Sequence, residues 1–108
     1  MPKAFLVVRA TIADPAKRQA FDDWYRTEHL RDAIAAFRCE KAWRFWSDTE
    51  PGAHQATYQF ADRTAAERAL YSGDMKALAD EFERVWPGIP RQREIFTLVD
   101  ERDGSAAG

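Results

Sequence analysis

The spacing of hydrophobic residues limits how this chain can fold, because it switches repeatedly between the alternation of a strand and the three- or four-residue spacing of a helix. It predicts the order strand, helix, strand, strand, helix, strand, with the second helix split in two near Gly73. The predicted elements are a strand over 4–12, a helix over 15–30, strands over 37–46 and 54–60, helices over 64–73 and 74–86, and a strand over 92–99. This order indicates one α+β domain with a four-stranded antiparallel sheet.

The same order is the split βαβ pattern of ferredoxin-like folds. Two helices on one face of the sheet leave the other face uncovered, and strands rich in aromatic residues then need an apolar partner. A second copy of the chain is the simplest partner, since most oligomers are symmetric homo-oligomers. The sequence therefore predicts a homodimer in which Phe5, Val7 and Arg9 face the interior of a barrel.

Length and charge narrow the class of protein. The 108 residues correspond to one domain, expected over 1–100, followed by a flexible tail over 101–108. The formal net charge is −2 with both signs interspersed, so nucleic-acid binding is not expected. No apolar run reaches the roughly 18–20 residues of a membrane span, so we expect no membrane partner. The first residues do not resemble a signal peptide, and the expected location is the cytoplasm.

Residue types that bind metals or cofactors are scarce in this sequence. The single cysteine, Cys39, excludes an internal disulfide and is expected to be a small buried residue. With only His29 and His54, a multi-histidine metal centre is not expected, and we predict no metal and no cofactor. Haem needs only one proximal ligand, so haem binding through His29 stays open as an alternative.

Capping residues and turn residues mark where the predicted elements begin and end. Asp14 can cap the first helix, and Gly52 predicts the turn of a hairpin between the second and third strands. Thr64 and Glu67 have the spacing of a capping box at the start of the third helix.

The predicted first helix ends with the stretch 21–30, which reads Phe-Asp-Asp-Trp-Tyr-Arg-Thr-Glu-His-Leu. An aromatic pair followed by Glu28 and His29 resembles the first-helix motif of the dimeric α/β-barrel superfamily, in particular its EthD-like and related small barrel proteins. The family typically continues with an aromatic residue and an Arg-bearing strand, and Phe37 with Arg38 or Arg44 matches that part.

This resemblance implies a ferredoxin-like barrel over roughly 4–99 and a homodimer. The superfamily includes cofactor-free monooxygenases, muconolactone isomerase-like enzymes and haem-binding proteins. The resemblance therefore implies a binding protein or a cofactor-independent enzyme for an aromatic or polyketide-like compound. The chain departs from the motif at Arg31, where Pro is usual, and at Ala36, where Gly is common. These departures favour the alternative of a non-catalytic dimeric accessory or stress-related module.

His29 is the strongest candidate for catalysis, because an imidazole exchanges protons near neutral pH. Its predicted position at the end of the first helix offers two interpretations. Near the mouth of a cavity, His29 would act as an acid or base. Alternatively, it caps the last carbonyl groups of the helix and interacts with the helix dipole.

Charged residues inside apolar patterns form a second group of candidates. Arg9 and Arg44 lie in strand patterns, where a guanidinium group can bind a carboxylate or an enolate oxygen. Arg9 can equally pair with Glu94 on a neighbouring strand. Glu28 lies on the apolar stripe of the first helix, where it is either a buried carboxylate with a raised pKa or an edge residue in water.

The aromatic residues complete the predicted site. Most strand aromatics are expected to fill the core and a dimer interface, but those lining a cavity would suit a planar apolar ligand. His54 begins a strand next to a loop and is predicted to be an ordinary surface residue. With His29 as the catalytic residue, the predicted ligand-binding residues are Arg9, Trp24, Tyr25, Glu28, Arg44, Trp46 and Tyr58.

Overall fold

The computed structural model describes residues 1–104, and its four strands form one antiparallel sheet in the order β2-β3-β1-β4. The strands are β1 (Ala4–Thr11), β2 (Lys41–Trp46), β3 (Ala53–Phe60) and β4 (Arg91–Thr97). The helices are α1 (Arg18–Trp24), α2 (Leu30–Phe37), α3 (Arg63–Leu70) and α4 (Gly73–Val85). This is the predicted ferredoxin-like α+β fold. The tail predicted over 101–108 lies partly outside the described residues, since 105–108 are not among them.

The two faces of the sheet differ in burial because side chains alternate along each strand. Leu6 of β1 stands opposite Tyr58 of β3 and Ile95 of β4, on the face that the helices cover. The core is formed by apolar side chains of this face together with those of the helices, among them Ala4, Leu6, Ala10, Phe21, Ala33, Ala56, Tyr58, Phe60, Met75 and Phe82. The other face, called the open sheet face, carries Phe5, Val7, Arg9, Trp43, Phe45, Gln55, Thr57, Gln92, Glu94 and Phe96.

The first helical segment continues beyond the predicted end near residue 30, as far as Phe37. A 3-10 turn (Pro15–Lys17) leads into α1, and a π-helical turn (Tyr25–His29) joins α1 to α2 without a break. The buried side of this segment consists of residues spaced four apart, namely Phe21, Tyr25, His29, Ala33 and Phe37. In an α-helix such a stripe would drift by about 40° at each step. The wider π turn reduces that drift and keeps the stripe against the sheet.

Two predicted boundaries are wrong for local reasons. Phe37 and Arg38 belong to the end of α2 and its cap, since Arg38 adopts the left-handed conformation (φ 54°) that terminates a helix. Strand β2 therefore begins at Lys41. The capping box is also misplaced, because Asp62, and not Thr64, caps α3 by accepting a hydrogen bond from the Ala65 amide at 2.9 Å.

The hairpin turn at Gly52 is confirmed. Gly52 has φ +80°, and a side chain there would collide with the carbonyl oxygen of Ile12. The Ile12 amide donates a 2.8 Å hydrogen bond to the Gly52 carbonyl, which ties this turn to the end of β1. Within residues 1–104, no helix is long and apolar enough to cross a membrane.

Candidate ligand site between the sheet and the helices

His29 lies in the π turn, in the middle of a continuous helical segment and not at its end. The interpretation of His29 as a cap for the last helical carbonyls is therefore wrong. Its side chain is buried, stacked on the Trp24 indole at 4.6 Å and in edge contact with the Tyr25 ring at 4.8 Å. The imidazole makes no hydrogen bond to any other residue of the described range 1–104.

Burial sets the charge of His29. Removal from water lowers its pKa to about 4, with Asp32 raising the pKa and Arg91 lowering it to smaller extents. The imidazole is therefore neutral at pH 7. One ring nitrogen of a neutral imidazole is a hydrogen-bond acceptor. This side chain can accept a proton from a bound molecule without first losing one.

Two tyrosine hydroxyls face each other beside His29. The hydroxyl oxygens of Tyr25 and Tyr58 are 3.1 Å apart, and both side chains are almost fully buried. Burial raises the pKa of Tyr25 to about 12 and the pKa of Tyr58 well above its ordinary value. Both phenols are protonated at pH 7, so one hydroxyl donates its O–H to the other, and the accepting hydroxyl keeps its own O–H available as a donor.

These groups line a narrow cavity between the sheet and α4, called the His29 cavity. Its volume is about 20 Å³, which is room for one water molecule. The lining side chains come from β1, the first helical segment, β3, α4 and β4, and are Val8, Tyr25, His29, Ala33, Phe37, Tyr58, Met75, Leu78, Ala79, Phe82, Arg91 and Arg93. The cavity combines an apolar wall with a few convergent polar groups, which is the composition of a small-molecule site.

A polar network adjoins the cavity on the side of β2. One carboxylate oxygen of Asp22 accepts hydrogen bonds from the Arg44 guanidinium at 2.5 Å and from the Trp46 indole at 2.7 Å. The Trp46 hydrogen bond and the Arg44 charge hold the pKa of Asp22 below its ordinary value despite partial burial. The Arg44 guanidinium also lies over the Tyr25 ring, 5.2 Å from its centre, so the network contacts the aromatic ring of Tyr25.

His54 is buried in this network, so its prediction as a surface residue is wrong. The residue is 2% exposed, and its Nε2 accepts a 3.2 Å hydrogen bond from Nε of Arg44. Burial, with the Arg44 charge, lowers the pKa of His54 to about 4. The alternation along β3 indicates this burial, because His54 shares its face with Ala56 and Tyr58.

The predicted site residues separate into three groups. Trp24, Tyr25, His29 and Tyr58 come together at the cavity or against its histidine, and Arg44 and Trp46 form the network beside it. Arg9 and Glu28 lie elsewhere. Glu28 is exposed on the π turn, as the edge-residue interpretation expected. Four further residues lie at the cavity or in the network and were not predicted from the sequence: Asp22, His54, Arg91 and Arg93.

Arg9 lies on the open sheet face, away from the His29 cavity. Its Nε donates a 3.1 Å hydrogen bond to Gln55. The predicted cross-strand pair with Glu94 is wrong, because Arg9 stands opposite Gln92 in β4 and Glu94 stands opposite Val7. A groove of about 680 Å³ runs past Arg9 at this end of the open sheet face.

Cys39 and the acidic residues provide no further site. Cys39 is half-buried, and burial raises the pKa of its thiol, which keeps the thiol protonated. Within the described range, no three histidine, cysteine, aspartate or glutamate side chains come close enough to hold a metal ion.

Comparison with solved structures places this architecture among known folds. An EthD family protein from Bacillus halodurans matches with a TM-score of 0.67 at 14% identity, over 92% of this chain and 100% of that chain. A mutant form of SnoaB, a cofactor-independent oxygenase from Streptomyces nogalater, matches with a TM-score of 0.63 at 16% identity, over 94% and 97% of the two chains. HapK from Hahella chejuensis matches with a TM-score of 0.64 at 16% identity, over 97% and 99%.

The chain has the same ferredoxin-like fold as these proteins. The resemblance seen in the stretch 21–30 is thereby confirmed at the level of the fold, which includes monooxygenase-like members. The sequence matches no family model and no curated protein. At these identities the likeness concerns the fold alone, and a shared fold does not determine a shared function.

Proposed function

We propose that the chain is a small-molecule-binding protein or a cofactor-independent enzyme that takes an aromatic or polyketide-like compound at the His29 cavity. One observation carries this proposal: a buried, neutral imidazole on a π turn lines the same cavity as a buried, hydrogen-bonded pair of tyrosines. Single π turns inside α-helices are frequent at functional sites. Titratable groups with strongly shifted pKa values in a cleft are typical of such sites as well.

The arrangement supports proton abstraction. A nitrogen of His29 would take the proton of a phenol, or of a carbon next to a carbonyl, and the electron pair would stay on the substrate as an oxyanion. Whichever hydroxyl of Tyr25 and Tyr58 accepts within the pair keeps its own O–H, and that O–H is the available donor for the oxyanion. The new negative charge beside the imidazolium would raise the pKa of His29 during the transfer and so hold the proton there.

A ligand with aromatic rings needs more room than the 20 Å³ of the closed cavity, so binding requires the cavity to open. The α4 wall of the cavity can move most easily. Met75 and Leu78 of α4 line it, and the flexible, unbranched side chain of Met75 adapts readily to a change of shape. The opposite wall is the sheet, where Tyr58 is held by the ladders of β3 with β1 and β2. We therefore expect binding to displace α4 and to leave the sheet unchanged.

The experiment is a binding and turnover screen with hydroxylated naphthalenes and anthraquinones, followed by ligand-detected NMR and by substrate-dependent oxygen uptake. His29→Phe keeps the size and burial of the side chain but removes the nitrogen, and we expect it to abolish turnover or weaken binding at least tenfold. Glu28→Gln, the exposed neighbour on the same turn, is the matched control and should behave as wild type. Wild-type activity in His29→Phe, or no binding in the whole panel, would contradict the proposal.

A second candidate function has its own supporting observation. A non-catalytic dimeric module is expected to have a well-packed interior without a ligand-sized cavity. The small volume of the His29 cavity, about 20 Å³, fits that expectation. In that case no compound of the panel binds, and His29→Phe changes only the free energy of unfolding. The same screen therefore separates the two functions.

We also propose that two copies pair through their open sheet faces. Three large side chains on this face are exposed, Trp43 by 37%, Phe45 by 50% and Phe96 by 41%. Within residues 1–104, Arg9 has no carboxylate within 4.0 Å and Glu94 no cationic group. We propose that Arg9 of each copy pairs with Glu94 of the other, since a symmetric interface forms each such contact twice. The exposed apolar side chains and these two charges without partners among residues 1–104 together support the proposed homodimer.

A further inference from the structure

Two arginines of β4 lie on the same face of the sheet, at the edge of the His29 cavity. Arg91 stands opposite Ala10 and Arg93 opposite Val8, so both belong to the face that the helices cover. Both line the His29 cavity. Like charges on neighbouring positions repel, and each therefore needs a carboxylate or water to offset its charge.

Arg91 is fully engaged by the protein. Its guanidinium binds the Glu83 carboxylate at 3.2 Å, contacts the Ala79 carbonyl at 3.4 Å and lies 4.3 Å from the centre of the Phe82 ring. These contacts hold Arg91 against α4 as part of the wall. A ligand would have to break them to use this side chain.

Arg93 is not engaged in this way. Within residues 1–104, no carboxylate lies within 4.0 Å of its guanidinium. Partial burial and the nearby Arg91 charge lower the pKa of Arg93, but the side chain stays exposed and positively charged at pH 7. An accessible guanidinium group without a carboxylate partner can bind an incoming anion through two N–H groups at once.

Arg93 also borders a second space. A groove of about 490 Å³ runs along the outer edge of the sheet between α3 and β4, and its lining residues are Arg63, Glu67, Leu70, Tyr71, Arg93, Glu94, Ile95 and Thr97. Arg93 is shared by this groove and the His29 cavity. The other arginine of the groove, Arg63, is paired with Glu67 at 2.9 Å. Tyr71 is 79% exposed and offers an aromatic surface at the groove.

We infer that the ligand of the His29 cavity is an aromatic carboxylate whose carboxylate binds Arg93 at the junction between the groove and the cavity. This inference rests on the proposed function and adds the substrate class and the entry route. The planar guanidinium group can bind both carboxylate oxygens at once, which fixes the orientation of the molecule. Its rings then extend into the cavity beside His29, and Tyr71 lies on the outer side of the route.

The test compares acids with their neutral counterparts. Affinities of 1-naphthoate, 2-naphthoate and 2-anthroate, and of the corresponding amides, are measured by calorimetry for wild type, Arg93→Gln, Arg93→Lys and Lys17→Gln. Lys17 is exposed and lines neither space, so Lys17→Gln is the control for the loss of one positive charge. His29→Phe is included to report on the cavity itself.

The expected result is a wild-type preference for the acids of roughly tenfold or more, as a charge-assisted hydrogen bond provides. Arg93→Gln should lose this preference, Arg93→Lys should keep part of it, and Lys17→Gln should keep all of it. Equal affinities for acids and amides that depend on His29 but not on Arg93 would overturn this inference and leave the proposed function in place. No binding of either series would overturn both.

Discussion

The hydroxyl of Tyr25 is hydrogen-bonded to the hydroxyl of Tyr58, across the interface between the π turn and the centre of β3. Tyr25 begins the turn that carries His29, and Tyr58 is paired on both sides by β1 and β2. The bond therefore ties the helical segment to a central strand of the sheet. It also places two phenol groups, which stay protonated, next to a neutral imidazole.

We expect Tyr58→Phe to destabilise the fold by about 1–3 kcal/mol, because it leaves the buried Tyr25 hydroxyl without its partner. Tyr25→Phe should cost a similar amount. The double variant should be less destabilised than the sum of the two, since it leaves no unpaired hydroxyl. Urea denaturation of all four proteins measures this coupling. Strict additivity would contradict a functional hydrogen bond between the two side chains.

The two buried histidines predict acid sensitivity. The pKa values of His29 and His54 are about 4 in the folded chain, against about 6.5 when unfolded, so the unfolded state binds more protons between pH 6.5 and 4. The free energy of unfolding should be constant above about pH 6.5 and fall as the pH decreases towards 4. Each histidine can account for a loss of up to about 3 kcal/mol.

A variant separates this effect from the titration of carboxylates. His29→Phe removes one of the two groups, so the slope of the free energy of unfolding against pH should fall to about half between pH 6.5 and 4.5. Asp22 has a folded pKa below its ordinary 3.8, and its contribution is lost only at still lower pH. An unchanged slope in His29→Phe would show that this imidazole is not buried in its neutral form.

Asp22 and its neighbour Asp23 offer a matched comparison. Asp22 accepts hydrogen bonds from Arg44 and Trp46, whose side chains are largely buried, whereas Asp23 makes an exposed ion pair with Arg26 at 3.2 Å. We expect Asp22→Asn to cost roughly 2 kcal/mol, the value of a hydrogen bond to a charged group. Asp23→Asn should cost under about 0.5 kcal/mol, as exposed pairs do. Equal losses in chemical denaturation would show that the Asp22 network does not stabilise the fold.

Much of the fold could be predicted from the sequence, because strand alternation and helix breakers act locally. The predicted end of the first helix, near residue 30, is too early for a different reason. Its buried residues continue every four positions to Ala33 and Phe37, but a strict four-residue stripe does not fit a straight α-helix, and the π turn that accommodates it is a tertiary adjustment. A stripe of period four is thus itself an indication of an underwound helix.

Only part of the candidate site could be predicted from the sequence. His54 shares the buried alternation of Tyr58, so its burial could have been found from β3 alone. The polar network of Asp22, Arg44 and Trp46 could not be predicted from the sequence. Arg44 contacts Asp22 only after α1 packs on β2, and no spacing in the sequence indicates that contact. The different roles of Arg91 and Arg93 likewise depend on where Glu83 of α4 lies.

The start of α3 provides a prediction at the level of local structure. Asp62 accepts the hydrogen bond of the Ala65 amide, while Glu67 pairs with Arg63 and does not reach back towards Thr64. Asp62→Ala should therefore lower the free energy of unfolding by about 1 kcal/mol. Thr64→Ala should be neutral within about 0.5 kcal/mol. A larger loss in Thr64→Ala than in Asp62→Ala would restore the capping box predicted from the sequence.

Substitutions at two apolar residues of similar solvent exposure test the proposed homodimer. Phe96 lies on the open sheet face and is 41% exposed, and Ile34 lies on α2 and is 39% exposed. If the sheet faces pair, Phe96→Glu buries a charge in the interface and should give folded monomers or aggregates, whereas Ile34→Glu should remain dimeric. Light scattering at micromolar concentration, with circular dichroism to confirm folding, measures the outcome.

Charge reversal gives an independent check of the same interface. Arg9→Glu and Glu94→Arg should each weaken the dimer, because each places like charges together across the two-fold axis. The double variant exchanges the two charges and should recover a dimer close to wild type in affinity. A wild-type protein that is monomeric at these concentrations would overturn the pairing of the open sheet faces. A dimer that tolerates Phe96→Glu and both reversals would place the interface elsewhere on the chain.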